Sequence, residues 1–306
     1  MKLGVTGGVG FVGRHLCDTL QKERGVEAVY VADNLSTNPR HRNNRDASYP
    51  DINAMLRGED GLDYIFHLGM PSSSPMYRRN PYLVSKVLSE GQAILDYCAK
   101  NKTGLIFAST SSLYNGNECP FREDMPIKVT DYYTEARYYL ERLAELYTQR
   151  EDFSVVGLRL FSVYGPGEES KGVYANLVSQ FIWAAEAGSP IEIYGDGLQT
   201  RDFIYVDDVV RAFVLARKRV EAGSDRFRIF NVGTGVETSV LSMAEMVRAM
   251  CKSEVPIKYV ENRIPNYVKR TLADTCSASS AINFKANVPL DLGIAKTIAA
   301  YKKKAE

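Results

Sequence analysis

Apolar residues along the 306-residue chain fall alternately into short unbroken runs and into stripes at helical spacing. Residues 2–6, 28–32, 64–70, 105–108 and 155–161 are near-continuous apolar runs, the pattern of strands buried on both faces of a parallel sheet. Between them, residues 14–22, a short stretch after Asp51-Ile52, residues 82–100 and residues 138–147 place apolar side chains on one helical face. Strands alternating with helices in this way predict an α/β fold with a doubly wound parallel sheet. Past residue 164 the alternation loosens into a helix over 176–187, a strand over 191–194 and a helix over 209–220. The chain is therefore expected to form a first domain over 1–164. A smaller mixed α/β unit over 165–306, partly interleaved with it, should share a cleft with it.

Composition narrows the class of protein. Hydrophobic residues make up 45% and charged residues 25%, enough to bury a large core. Thirty-eight basic and 37 acidic residues leave a formal charge of +1, so no global field attracts nucleic acid or a membrane surface. Five scattered cysteines without C-x-x-C spacing and three histidines argue against a metal site and for a reducing, cytoplasmic setting. No run reaches membrane-spanning length, and the amino terminus lacks the apolar block of a signal peptide.

The first strand runs into Gly7-Gly8-Val9-Gly10-Phe11-Val12-Gly13 and then a helix. Glycines in that order permit a tight turn, let backbone N–H groups close on a pyrophosphate and let the helix pack against the strand with its amino end facing the anion. Asp33 stands twenty positions past Gly13, at the end of the second strand, where a ribose-binding acid belongs. The sheet is thus expected to be Rossmann-like and to bind a dinucleotide. A carboxylate beside the adenosine ribose disfavours a 2′-phosphate, so NAD is expected rather than NADP. The basic run Pro39-Arg40-His41-Arg42 with Arg45 reads as a solvated loop.

Asp131-Tyr132-Tyr133-Thr134-Glu135-Ala136-Arg137 opens a helical run in mid-chain. The four-residue spacing stacks Tyr133 and Arg137 on one helical face, a phenol beside a permanent cation. A free phenol titrates near ~10, so a tyrosine base needs neighbouring positive charge. A unit cation about 5 Å away, at an effective dielectric of about 20, supplies roughly 3 kcal/mol. Packing of a tyrosine under an arginine stem would produce the same spacing without chemistry.

Taken together these residues resemble the extended short-chain dehydrogenase/reductases that act on nucleotide-sugars, the NAD-dependent epimerase/dehydratase group, and among them the UDP-glucose 4-epimerases. The resemblance rests on the glycine loop, Asp33-Asn34-Leu35-Ser36, the hydroxyl cluster before Leu113-Tyr114, the Tyr133 helix, Val163-Tyr164-Gly165-Pro166-Gly167, Gly195-Asp196-Gly197, Arg201-Asp202-Phe203 and Asn231-Val232-Gly233. It implies a catalytic Tyr133, with Thr110 bonding the reacting sugar oxygen and Arg137 at the place of the family lysine. It further implies that Gly7, Gly10, Phe11, Val12, Gly13, Asp33, Asn34, Leu35 and Ser36 bind NAD together with Tyr133 and Arg137. Asp51 and Ile52 would hold the adenine, with Leu68, Gly69 and Phe161 at the nicotinamide. Ser162, Asn176, Leu177, Tyr194, Arg201 and Arg263 would bind the nucleotide-sugar substrate. Arginine suits a diphosphate because its planar fork is permanently charged.

The implied reaction is epimerisation at C4 of a nucleotide-sugar, a UDP-sugar first, through a transient 4-keto sugar. Related dehydratases and decarboxylases carry a glutamate where this chain has Ser112, so no carboxylate is placed for β-elimination; Glu118 and Glu123 read as loop residues. Arg137 in place of lysine, Leu88 and Ser162 in place of asparagines, Asn115 in place of a glycine and Asn266 in place of a carboxylate depart from the family pattern. Two alternatives remain open, a nucleotide-sugar dehydrogenase or reductase and a catalytically weakened NAD-binding regulatory protein. The resemblance also implies a homodimer through a bundle of the helices over 82–100 and 133–149. Leu88, Ile94, Leu95, Leu140, Leu143 and Leu146 are its candidate contacts, or else face the sheet.

Overall fold

A computed structural model describes residues 1–35, 47–223, 225–262 and 267–305. Ser36, Arg263, Asn266 and the basic run at 39–45 lie outside the described residues.

The apolar runs form the sheet. Strands β1 (Lys2–Thr6), β2 (Ala28–Ala32), β3 (Tyr64–His67), β4 (Gly104–Thr110) and β5 (Val155–Leu160) are all parallel where they pair. Helices α1 (Phe11–Leu20), α2 (Ile52–Gly58), α3 (Ser74–Arg79), α4 (Leu83–Asn101) and α5 (Tyr132–Arg150) lie between them in the chain. The third strand stops at His67, short of the expected 70. Thr6 Oγ1 takes the N–H groups of Leu68 and Gly69 at 3.1 and 2.9 Å and turns that segment into the loop at the sheet's carboxyl edge.

Beyond residue 161 come β6 (Ser162–Tyr164), α6 (Leu177–Glu186), β7 (Ile191–Tyr194), β8 (Thr200–Arg201), β9 (Phe203–Tyr205), α7 (Val206–Glu221) and β10 (Phe227–Val232). They are followed by β11 (Thr238–Ser239), α8 (Val240–Met250), β12 (Ile257–Val260), α9 (Cys276–Ile282) and α10 (Leu290–Ala305). Strand β10 returns to the main sheet and pairs with β5, giving the order β10-β5-β4-β3-β1-β2. Short strands such as β8 and β11, two residues each, leave too little periodicity to be read from the sequence.

The order runs outward from β1 in both directions, so the chain reverses its progression between β1 and β3. Ligands bind at such switch points, outside the carboxyl ends of the strands. The larger apolar cores among the described residues follow from this layout. Leu3, Val5, Leu16 and Phe213 pack between the sheet and the α1/α7 side, and Ile65, Leu95, Phe107 and Leu140 pack on the α4/α5 side. Phe181, Ile193, Met243 and Ile298 form the core of the smaller unit. Ile94, Leu95 and Leu140 therefore face the sheet, while Leu88 and Leu143 are half-buried and Leu146 is exposed. Tyr147 donates to Asp96 Oδ1 at 2.5 Å and ties α5 to α4.

Glu141 and Arg159 form a buried bidentate pair under the sheet edge, with Nε–Oε1 at 3.0 Å and Nη2–Oε2 at 2.6 Å. Ser109 Oγ also donates to Glu141 at 2.5 Å, and Arg159 Nη1 donates to the Tyr114 hydroxyl at 2.7 Å. Tyr114 in turn donates to Asn231 Oδ1 at 2.7 Å. This connected set locks β4, β5, β10 and α5 in one register. Desolvation makes such pairs weak net stabilisers but costly to break one-sidedly, by about 3–5 kcal/mol. Glu123, expected as a loop carboxylate, accepts the Asn231 N–H at 2.7 Å and closes the same network from above.

Candidate active site

A cleft of about 630 Å³ opens over the carboxyl ends of β1, β3, β4 and β5. The glycine loop forms its floor. Gly7 has φ of +70°, and a Cβ there would stand 2.7 Å from the Gly69 backbone, so β1 and β3 approach closely only because both positions are glycine. A Cβ on Gly13 would lie 2.0 Å from Gly7 O, so α1 can start against the loop only with glycine there. No side chain caps α1; its amino end is left to face the cleft through Gly10, Phe11 and Val12.

Asp33 is held at the edge of this floor. Its Oδ2 accepts the Val9 N–H at 3.0 Å and its Oδ1 accepts the Leu35 N–H at 2.8 Å. Asn34 lines the cleft, and Leu35, at φ of +56°, packs against the core beside it without lining the cleft. Asp51 caps α2 through the Ala54 N–H at 2.8 Å, and with Ile52 it forms another part of the wall. Leu68, Gly69, Phe161, Ser162 and Asn176 also line the cleft. Leu177, Tyr194 and Arg201 do not. Arg201 Nη1 donates to Thr200 O at 2.7 Å and the guanidinium lies 5.2 Å from the Tyr267 ring centroid. Burial pushes its pKa down.

At the reacting end, Tyr133 and Arg137 both line the cleft with Thr110, on the face that the four-residue spacing predicts. Asp131 fixes the start of α5 in a capping box with Thr134, accepting its N–H at 2.8 Å, and Ser74 of α3 donates to the same carboxylate. Thr110 Oγ1 accepts the Ser112 N–H at 3.1 Å, leaving its own proton to donate. Arg137 is 4% exposed, and its guanidinium lies 5.1 Å from the Tyr133 ring centroid, donates to Pro71 O at 2.9 Å and reaches Met70 Sδ. The cation thus both faces the phenol ring and clamps the loop after β3 to α5. Arg137 Nε and Ser73 Oγ are buried without a hydrogen-bond partner among the described residues. Donors left open in a walled cleft suit a polar ligand, and the open glycine floor suits a diphosphate.

His67 sits beneath, fully buried, as a core histidine. Thr6 Oγ1 takes two N–H groups, so it donates its own proton to His67 Nδ1 at 2.7 Å and leaves the ring proton on Nε2. Burial, with the Arg137 charge adding, lowers its pKa to about 3. A folded pKa below the unfolded value of 6.5 gives stability that is full above 6.5 and is lost as pH falls toward 3. Urea midpoints should drop below about pH 6, with a slope approaching ~1.4 kcal/mol per pH unit from this site. In a His67→Gln variant that part of the slope should disappear.

Among the cleft residues that escaped the sequence are Met70 and Tyr174, which wall it, and the charged Lys86, Glu90 and Lys171. Neither thioether nor ring carries a motif, and the charged side chains fall in no motif either.

The sequence model of the NAD dependent epimerase/dehydratase family matches residues 3–233. UDP-glucuronic acid decarboxylase 1 of Xenopus tropicalis is 31% identical over 318 residues, covering 99% of this chain and 72% of that one. The structure of UDP-glucose 4-epimerase of Thermotoga maritima with UDP-glucose superposes with a TM-score of 0.91 at 29% identity, covering 100% of both chains. That of UDP-glucuronic acid 4-epimerase of Bacillus cereus, with UDP-glucuronic acid and NAD, has a TM-score of 0.84 at 25% identity and covers 99% of this chain and 100% of that one. With a dinucleotide floor, a tyrosine and a cation on one helix face, and a family match over most of its length, the chain belongs to the NAD dependent epimerase/dehydratase family.

Proposed function

We propose that the protein is an NAD-dependent nucleotide-sugar 4-epimerase acting on a UDP-sugar. The observation that carries this reading is the meeting of Tyr133, Thr110 and Arg137 in one cleft with the glycine loop, with hydroxyls rather than carboxylates around them. The carboxylates lining the cleft among the described residues are Asp33, Asp51 and Glu90. Asp33 stands beside the glycine loop, and Asp51 and Glu90 are close enough that Asp51's charge, after burial, helps raise the pKa of Glu90. At the position of an elimination base stands Ser112.

NAD, held over the glycine loop beside Asp33, would supply a hydride acceptor and donor for sugar C4. The chain supplies the proton chemistry and the positioning. Tyr133, as phenolate, takes the proton of the C4 hydroxyl and returns it to the oxygen of the inverted centre. Thr110 donates to that oxygen and holds it against the phenol. Arg137 stabilises the negative charge on Tyr133 and keeps the Met70-Pro71 wall in place. The 4-keto sugar turns over in the cleft and is reduced on its opposite face.

Incubation with UDP-glucose, UDP-galactose and their N-acetyl and uronic-acid forms, followed by proton NMR of the sugar, tests this reading. A C4 epimer of at least one is expected; no exchange in any would sink it. Loss of carbon dioxide from UDP-glucuronate would instead place the chain with its decarboxylase relatives. The protein is further proposed to work as a homodimer through the outward edges of α4 and α5, where Leu146 is exposed. Sedimentation velocity should give twice the 34.2 kDa chain mass. A species of one chain mass at micromolar concentration contradicts it.

A further inference from the structure

Among the described residues the cleft is lined by three cations, Lys86, Arg137 and Lys171. Arg137 is committed to Pro71 and to the Tyr133 face, and Lys86 lies 3.7 Å from Glu90. Lys171 belongs to the segment between β6 and α6, far in sequence from the glycine loop, yet its Nζ lies 5.1 Å from the centroid of the Phe11 ring, the first residue of α1. Two contacts seat that segment on α1. His15 Nε2 meets Pro166 O at 2.9 Å, and Gly167 lies against Arg14, whose Nη1 would stand 3.7 Å from a Cβ placed there.

The lysine is held from behind by a built anchor. Glu168 is fully buried; its Oε1 accepts Lys171 Nζ at 2.8 Å and the Asn176 N–H at 3.2 Å, and its Oε2 accepts Ser179 Oγ at 2.7 Å. A buried carboxylate with three donors is rigid, and it aims the ammonium rather than merely neutralising it. An ammonium has three N–H donors, and Glu168 takes one. The side chain keeps 19% exposure, on the cleft side that it lines.

We infer that Lys171 is a diphosphate-binding residue for the resident NAD: an ammonium brought over the amino end of α1 by the segment between β6 and α6, to pair with the cofactor's bridging phosphates. Backbone N–H groups of the glycine loop serve the anion from below and the lysine serves it from the side. The same contact fastens the smaller unit to the cofactor, so its loss should speed cofactor release as well as weaken binding. The inference rests on the dinucleotide reading of the glycine loop and not on the sugar chemistry, so a chain that epimerises nothing but binds NAD still tests it.

The test is calorimetric titration of Lys171→Met, Lys171→Arg and the natural protein with NAD, ADP-ribose and adenosine. ADP-ribose keeps the diphosphate and lacks nicotinamide; adenosine lacks both. Lys171→Met should weaken NAD and ADP-ribose about tenfold or more, leave adenosine within twofold, and flatten the salt dependence of NAD binding; Lys171→Arg should restore most of the affinity. Where NAD cannot be stripped without unfolding, the release rate of resident NAD into buffer is measured instead, and about tenfold faster release from Lys171→Met is expected. Unchanged NAD affinity and release, or an equal loss for adenosine, overturns the inference. So does a loss confined to the sugar-nucleotide, which would move Lys171 to the substrate. Absence of NAD binding by the natural protein would defeat the cofactor reading itself.

Discussion

Tyr133→Phe should lower kcat for C4 exchange by about 10²–10⁴, the usual worth of a positioned acid or base, with NAD affinity nearly unchanged. The ring of residue 133 packs 5.6 Å from the fully buried Tyr77 ring and under the Arg137 guanidinium, and phenylalanine keeps both contacts. What it removes is the oxygen that exchanges a proton with the sugar. A loss in kcat with KM unchanged fits a group needed only in the transition state. Steady-state rates with saturating substrate check the first, and titration with NAD checks the second. A Phe variant of near-natural rate would show that another group moves the proton.

Arg137→Met should be nearly as damaging. The guanidinium lies 5.1 Å from the Tyr133 ring centroid, and a unit cation roughly 5–8 Å from a charge at an effective dielectric of about 20 is worth about 2–3 kcal/mol, which corresponds to a loss of about 30- to 100-fold in rate. The arginine also holds Pro71 O, so its removal frees the wall that carries Ser73. Arg137→Lys keeps the charge but gives up the planar fork that spans Met70 and Pro71, and should fall between the two, about tenfold below the natural protein. This series also decides between the two roles open to the chain. A lysine variant faster than the natural protein would mean that arginine marks a weakened site, as a regulatory protein would have. kcat for the three proteins, measured side by side, gives the order.

The sheet was legible in the sequence because its strands are buried on both faces and so read as near-continuous apolar runs; β1, β2, β4 and β5 fall within a few residues of their predicted bounds. The glycine floor was legible for a related reason: Gly7 and Gly13 stand where no Cβ fits, and backbone constraints of that kind leave a fixed letter at a fixed spacing. Tyr133, Arg137 and Thr110 were readable as residues that meet. The anchoring of Arg137 by Pro71 O was not, since a backbone acceptor carries no letter. The return of β10 to the main sheet was not legible either, because a sequence does not say where a strand inserts. The Glu141/Arg159 pair and the Glu168/Lys171 anchor were silent too. A charge on a helix or loop reads as solvated until its partner, supplied by a distant element or by the backbone, is seen.

Tyr133 chemistry on a C4 hydroxyl is tested most directly by a UDP-sugar carrying deuterium at C4, followed by NMR in ordinary water with catalytic amounts of the protein. Epimerisation through a transient ketone that stays in the cleft predicts the C4 epimer with the deuterium still on C4, no added NAD consumed, and product from Tyr133→Phe slower by about 10²–10⁴. Recovery of the unchanged sugar from every UDP-sugar offered, or an epimer that has lost its label to water, would contradict it.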